Sequence, residues 1–314
     1  MRAIASSVLG ASLLVSCLFP DVSQFGECAD GACAGSGAAD ASASGGQSGG
    51  GGDAGTVGGS GGSGGAAGGG GVAGGGGQDA GGSGGVGPCG THLGGPMVLI
   101  AKHDYCIDAT EVTKAQYTLF LEDAGATAND TSAECSWNTS HKPPAYLYDT
   151  ASTLAEDPIQ GVNWCNARAY CAWAGKRLCG KVGGGTLALG ETGTGASEWY
   201  VACSRDGART YPYGGTHLSG ACNDEKGGVT PFGQEPVQSN AGCEGGYDGI
   251  YDMSGNVLEW VNACGTGSDP AKVQCQTSGG TWNFDGNATF CAFGQAHPRD
   301  NVAPQAGFRC CKTP

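Results

Sequence analysis

The sequence of 314 residues predicts an α+β domain that has little regular secondary structure and is held together by disulfides. Three observations predict this class. Capped helix patterns follow short apolar strands in the first half of the foldable region. The second half consists of short segments interrupted by Gly, Pro and Asn. The chain has 17 cysteines, of which 14 follow residue 88, enough for seven disulfides.

The N-terminal part has a different composition from the rest of the chain. Residues 1–18 carry the charged and apolar parts of an export signal and are too short to span a bilayer stably. The run ends in Leu14-Val15-Ser16-Cys17, which resembles the lipobox of bacterial lipoproteins. We therefore predict a lipoprotein signal peptide over residues 1–17, acylated at Cys17; a secretory signal with a chance cysteine is the alternative.

Residues 18–87 are dominated by Gly, Ala and Ser, a composition that cannot bury enough apolar surface to offset chain entropy. We predict a tether there and a single folded domain over residues 88–314. A lipid anchor places this domain in the bacterial cell envelope, on the outer membrane or the cell surface. The membrane is then one expected partner.

Charge and cysteine content narrow the function classes. The chain has 15 basic and 29 acidic residues and a net charge of −14, which argues against nucleic acid as a partner. Without Cys17 the cysteines number 16, an even count that suits a disulfide framework in an oxidising compartment. Structural zinc is not expected, because no paired Cys-x-x-Cys units occur.

The first elements can be placed from apolar patterns and caps. Met97–Ile100 and Tyr105–Asp108 are predicted strands. Thr113 and Gln116 form a capping-box pattern at the start of a helix that stops at Gly125. We assign two acids just before this helix, Asp108 and Glu111, to the turn and to the helix N-terminus, where negative charge is favourable.

Two more helices follow an irregular stretch over residues 126–157. Asn163 caps a helix from Trp164 to Ala174, and Ser197 begins a shorter one. Cys165 and Cys171 point to different faces of the first of these helices, so they should bond different partners.

The stretch with the densest polar chemistry is GIYDMSGNVLEWV, residues 249–261. Ser254-Gly255-Asn256 is a strong turn signal, and Asp252 and Glu259 flank it. A tight loop can bring both carboxylates and the intervening carbonyls around one point, an arrangement of hard oxygen ligands that suits calcium. The alternative is that Asp252 caps the turn and Glu259 makes a buried hydrogen bond beside Trp260.

Eight motifs in order are similar to the sulfatase-modifying-factor family, whose best-known member is the formylglycine-generating enzyme. They are YCIDATEVTKAQYTLFL, PIQGVNWCNARAYCAWAGKRL, ASEWYVAC, YPYG, CND, GIYDMSGNVLEWV, GGTW and GFRC. The resemblance covers about Met97 to Lys312. It implies a C-type lectin-like fold of the formylglycine-generating-enzyme type.

The resemblance also implies calcium sites on named positions. The first would use the Asp252 side chain, the Gly255 and Val257 carbonyls and the Glu259 side chain. A second would use Asn223 and the carbonyl of Asp224. The remaining acidic ligand of that second site has no clear match in residues 227–238.

The family enzyme holds copper(I) with two cysteines shortly after its GGSW block, and thiolates are suitable soft ligands for that ion. Here the corresponding positions are Phe284 and about Thr289, and Cys291 is two residues out of register. Copper-dependent formylglycine generation is therefore not expected.

Two hypotheses follow from these motifs. The first is a calcium-stabilised, non-catalytic module that binds an extracytoplasmic protein, peptide or glycan. Its candidate surface consists of aromatic residues in loops: Trp137, Tyr146, Tyr148, Trp282 and Phe284. The second is an oxidase or maturation enzyme for an extracytoplasmic protein or peptide, with Cys291 or another free thiol as the reactive group.

Overall fold

The structure is a computed structural model that describes residues 87–128, 130–149, 154–224 and 233–314, all within a compact unit from Gly76 to Pro314. The predicted signal peptide, Cys17 and, apart from Gly87, the predicted tether lie outside the described residues. In the described ranges no helix has the length and apolar character needed to cross a bilayer.

The described residues form short helices and strands joined by long loops. The helices are α1 (Lys114–Ala124), α2 (Ala145–Tyr148), α3 (Trp164–Trp173) and α4 (Glu198–Ser204). The strands are β1 (Met97–Ile100), β2 (Tyr105–Asp108), β3 (Arg177–Leu178), β4 (Leu258–Cys264), β5 (Gln274–Ser278), β6 (Gly294–Pro298), β7 (Ala306–Phe308) and β8 (Cys310–Lys312). The predicted α+β class is confirmed.

The strands form two four-stranded sheets. The first has the order β1-β2-β8-β3 with antiparallel neighbours throughout. The second has the order β6-β5-β4-β7, in which β4 and β7 are parallel and the other pairs antiparallel. Strands β7 and β8 are separated only by Arg309 and belong to different sheets, so this residue lies where the two sheets meet.

The predicted caps form as the sequence indicates. Thr113 Oγ1 accepts a hydrogen bond from the Gln116 amide at 3.3 Å, and Gln116 Oε1 accepts one from the Thr113 amide at 3.2 Å. The Asn163 side chain accepts from the Asn166 amide, and α3 ends one residue before the predicted Ala174. These local signals succeed because each cap satisfies an amide that the helix itself leaves unpaired.

The second half of the chain is more regular than the sequence indicates. Strand β4 has seven residues, most of them buried, and it is a central strand of the second sheet. A strand covered on both sides lacks the alternation of apolar and polar residues that marks a half-exposed strand. The predicted irregular region also contains the single-turn helix α2.

Seven disulfides crosslink all 14 cysteines of the described residues. The pairs are Cys89–Cys106, Cys135–Cys165, Cys171–Cys310, Cys179–Cys311, Cys203–Cys291, Cys222–Cys243 and Cys264–Cys275. Cys165 and Cys171 have different partners, as predicted. Such a density of disulfides is typical of a domain that folds outside the reducing cytosol.

A buried carboxylate cluster as the candidate functional site

The stretch from Asp252 to Asn256, which contains the turn Ser254-Gly255-Asn256 (the SGN turn), has a left-handed backbone at three positions. The φ angles are 59° at Asp252, 76° at Gly255 and 54° at Asn256. A Cβ at Gly255 would lie 2.1 Å from the carbonyl oxygen of Asn223, so only glycine allows this close approach. Asp252 and Asn256 are strained because they are not glycine and have a positive φ, and the surrounding contacts must offset this strain.

Asn256 supplies most of those contacts. Its backbone amide donates to Asn223 O at 2.7 Å, and its Oδ1 accepts from Asn223 Nδ2 at 3.0 Å and from the Glu235 amide at 2.9 Å. Its Nδ2 donates to Glu111 Oε1 at 3.1 Å and to Glu235 O at 3.2 Å. Its carbonyl accepts from the Trp282 amide at 3.0 Å. One side chain and its peptide groups therefore join four separate segments.

Glu259 pairs with Arg309, which has no exposed surface. Arg309 Nε and Nη2 donate to the two carboxylate oxygens of Glu259, each at 2.7 Å. Trp199 Nε1 donates to Glu259 Oε2 at 2.8 Å, and Arg309 also donates to the Tyr251 carbonyl at 2.9 Å. A bidentate salt bridge of this kind fixes both side chains in one geometry.

Two further carboxylates lie around this pair, and we call Glu111, Asp252, Glu259 and Arg309 the carboxylate cluster. Glu111 is 1% exposed, and its Oε2 accepts no hydrogen bond from any described residue. Burial raises the pKa of Glu111 well above its usual range, and the charge of Asp252 adds to the shift. Burial likewise raises the pKa of Asp252 to about 6. Three carboxylates face one guanidinium, so the cluster favours an added proton or cation.

The oxygen donors of the cluster suit calcium, with one restriction. Glu259 Oε2 already accepts from both Arg309 and Trp199, whereas its Oε1 accepts only from Arg309 and keeps one lone pair. Asp252 Oδ2 accepts from the Gln238 amide at 2.7 Å. Among the described residues no three His, Cys, Asp or Glu side chains are close enough to form a metal site by themselves. Calcium here would therefore need backbone carbonyls as well.

The residues predicted for a second calcium site lie beside the first. Asn223 Nδ2 donates to the Gly233 carbonyl and to Asn256 Oδ1, both at 3.0 Å. Asp224 Oδ2 pairs with His217 Nε2 at 2.6 Å. The segment expected to supply the missing ligand is 227–238, and its residues 227–232 lie outside the described residues. The second site stays a prediction.

The loop after GGTW contains no free thiol. Cys291, the candidate reactive thiol, is 1% exposed and forms a disulfide with Cys203. Phe284 packs edge-to-face on Phe293 with ring centroids 5.7 Å apart, and Thr289 is buried. Cys291 is therefore a disulfide sulfur in this structure, since a cysteine on α4 lies within bonding distance of it.

The two acids before α1, Asp108 and Glu111, make other contacts than the sequence predicts. Neither serves the N-terminus of that helix. Asp108 Oδ1 pairs with Lys176 at 2.6 Å and its Oδ2 accepts from the Cys310 amide at 2.8 Å, whereas Glu111 reaches Asn256 in the turn. Both contacts span long sequence separations, so the local charge pattern could not reveal them. The only available signal for Arg309 was its place in the GFRC motif.

The predicted aromatic surface is only partly exposed. Tyr146 is 68% exposed, whereas Trp137, Tyr148 and Phe284 pack against the main apolar core and Trp282 is half-buried. These side chains therefore contribute to packing as well as to the surface.

Comparison with known proteins places these features in a family. The model described as "Sulfatase-modifying factor enzyme 1-like domain" matches residues 69–314. The inactive C-alpha-formylglycine-generating enzyme 2 of Bos taurus is 29% identical over 175 residues, which are 49% of this chain and 50% of that protein. The hercynine oxygenase of Mycobacterium tuberculosis is 27% identical over 198 residues, 56% of this chain and 41% of that protein. The chain thus spans half or less of the length of both relatives.

Among solved structures, PvdO from Pseudomonas aeruginosa is similar to this chain. The TM-score is 0.46 and the sequence identity 19%, over 71% of this chain and 90% of PvdO.

Proposed function

The chain belongs to the sulfatase-modifying factor enzyme 1-like domain family, and from this premise we propose that it is a lipid-anchored, calcium-stabilised binding module that lacks copper-dependent oxidase activity. Family membership also confirms the predicted fold class, a C-type lectin-like α+β fold of the formylglycine-generating-enzyme type. The relatives of the family include an enzyme named inactive and one named an oxygenase, so fold alone does not decide the activity.

The observation that carries the proposal is the state of the cysteines. All 14 in the described residues are crosslinked. The resemblance to the family enzyme puts its two copper-binding thiols at Phe284 and at about Thr289, neither of which is a cysteine. An oxidase that used Cys291 would first have to reduce the Cys203–Cys291 bond, which frees two neighbouring thiols, and would then have to bind copper(I) with that pair. A binding role requires neither.

The proposed anchor and ligand follow from the rest of the chain. A lipid on Cys17 would hold the domain at the cell surface, with residues 18–87 as the tether. The proposed ligand is an extracytoplasmic protein, peptide or glycan. Tyr146, the most exposed aromatic residue of the predicted surface, is the first position at which to test its binding.

Counting thiols tests the proposal against the oxidase alternative. In the exported chain, denatured without reductant and alkylated, we expect no label on the cysteines from Cys89 to Cys311. With a cysteine-containing peptide and copper(I), we also expect oxygen consumption no faster than in the same mixture without the protein. Two free neighbouring thiols that bind one copper(I) ion would support the oxidase and contradict the binding module.

Removal of calcium should lower the thermal midpoint of unfolding. A ligand at a hundred times its Kd stabilises the folded state by roughly 2.7 kcal/mol, because it does not bind the unfolded chain. The Asp252→Asn variant should show no difference between calcium and chelator in scanning calorimetry. It keeps an oxygen for the Gln238 amide and leaves the Glu259–Arg309 pair intact.

The control for this experiment is Asp300→Asn, which removes a carboxylate that pairs with Lys272 on the surface. This variant should retain the full calcium response. A wild-type midpoint that does not change with chelator would remove calcium from the proposal, while the thiol count would still decide between binding module and oxidase.

A further inference from the structure

A cavity of about 150 Å³ lies against α3 and is unused by the proposed function. Trp164, Arg168 and Ala172 form one wall, since residues four apart lie on the same face of a helix. Lys176, the β3 residues Arg177 and Leu178, and Asn262 on β4 complete the lining. The cavity is large enough for a molecule of monosaccharide or amino-acid size.

The charge of this cavity is opposite to that of the chain. The net charge of the protein is −14, yet the lining residues include Arg168, Lys176 and Arg177 and no acidic residue. Each of these cations pairs with a carboxylate outside the lining: Asp130 pairs with Arg168, Asp108 with Lys176 and Glu198 with Arg177. The charged side chains that line the cavity are therefore all hydrogen-bond donors.

Arg177 is held in place and still has donors to offer. Its Nη1 and Nη2 donate to the two oxygens of Glu198, each at 2.6 Å, and the Glu198 side chain is fully buried. A guanidinium has five N–H groups, so this pair leaves further donors on a side chain that is 30% exposed. Because the pair has already fixed the rotamer, little side-chain entropy remains to be lost on binding.

Arg168 is the more available cation. Its Nη1 donates to Ser132 Oγ at 2.9 Å and lies 3.4 Å from Asp130 Oδ2, while its Nε and Nη2 donate to no described residue. Its guanidinium carbon lies 5.8 Å from the centre of the Trp164 ring. The indole is itself fixed, because Trp164 Nε1 donates to the Val261 carbonyl at 3.0 Å.

From this arrangement we infer that the cavity binds a small molecule that carries a carboxylate. The two oxygens of a carboxylate match the planar fork of a guanidinium. The apolar surface of Trp164, Ala172 and Leu178 gives the body of the ligand a place to pack. A uronic acid and an N-acylated amino acid both present this chemistry.

Titration calorimetry on the purified full-length chain tests the inference with two pairs of probes. Galacturonate is compared with galactose, and N-acetylglycine with N-acetylglycinamide. We expect an acid to bind and its neutral counterpart not to bind. Binding of galacturonate alone would identify the ligand body as a sugar, and binding of N-acetylglycine alone would identify it as an amino-acid derivative; either outcome supports the carboxylate site.

Variants locate the site. Arg168→Gln removes a donor cation, and Ala172→Glu places a carboxylate in the exposed wall of the cavity. Each should weaken binding at least about tenfold, the loss typical of a hydrogen bond to a charged group. Ala124→Glu, an exposed position on α1 outside the cavity, should bind like the wild type. The inference is overturned if neither acid binds up to about 10 mM, if the neutral probes bind equally, or if Ala172→Glu has no effect.

Discussion

The Glu259→Gln variant is expected to lose about 3–5 kcal/mol of unfolding free energy, because it leaves the guanidinium of Arg309 buried without its counter-charge. Arg309 has no exposed surface, and both its Nε and Nη2 donate to Glu259. The amide of glutamine can accept only one of these two bonds while its NH₂ group faces a cation. Chemical denaturation of wild type and variant in chelator measures the loss without any contribution from calcium.

Two controls make this result specific. In Asp300→Asn, which breaks the surface pair with Lys272, we expect no measurable change. In the double variant Glu259→Leu with Arg309→Met, both charges are gone, and the loss should be smaller than in Glu259→Gln alone. If Glu259→Gln lost as little unfolding free energy as Asp300→Asn, the buried Glu259–Arg309 pair would not stabilise the packing of the two sheets.

Replacement of Asn256 by Ala should cost a comparable amount, about 3–5 kcal/mol. Its side chain makes four hydrogen bonds: two with Glu235 and one each with Glu111 and Asn223. Each contributes on the order of 1 kcal/mol, and alanine adds strain at a φ of 54°, where asparagine is better tolerated. The free energy of unfolding from urea denaturation gives the value.

Asn256→Gly separates the two contributions, because glycine adopts the same backbone without strain but makes none of the side-chain bonds. We expect it to be more stable than Asn256→Ala by about 1 kcal/mol, the cost of a left-handed alanine. Asn256→Asp should be worse than Asn256→Gly, since it places a fourth carboxylate against Glu111 and removes the donor that Glu111 Oε1 accepts. If all three variants matched the wild type, the turn would not depend on Asn256.

Elements with local signals could be predicted from the sequence, and contacts between distant residues could not. The caps at Thr113, Asn163 and Ser197 form as predicted because each involves residues only three positions apart. The Glu259–Arg309 pair spans 50 positions and the contact of Glu111 with Asn256 spans 145. No periodicity in either segment encodes such a contact, since it depends on how the sheets pack.

In the candidate site, too, local features could be predicted and contacts between distant residues could not. The sequence placed Asp252 and Glu259 on either side of a turn, and the structure brings both into one cluster. The sequence could not indicate that Glu259 accepts three hydrogen bonds from Arg309 and Trp199. Nor could it indicate that Glu111 lies in the same cluster with one carboxylate oxygen unpaired. Those features arise from burial, and only the packed structure reveals them.

The position of strand β8 constrains the order in which the protein can mature. Its two cysteines follow the other twelve of the described residues in the sequence, yet they bond Cys171 and Cys179, which precede them by 139 and 132 residues. During export these two earlier thiols emerge eight residues apart in the sequence, long before their partners. A bond between them would have to be exchanged later, through attack by a thiolate of Cys310 or Cys311. We therefore expect a disulfide isomerase to raise the yield of correctly bonded protein.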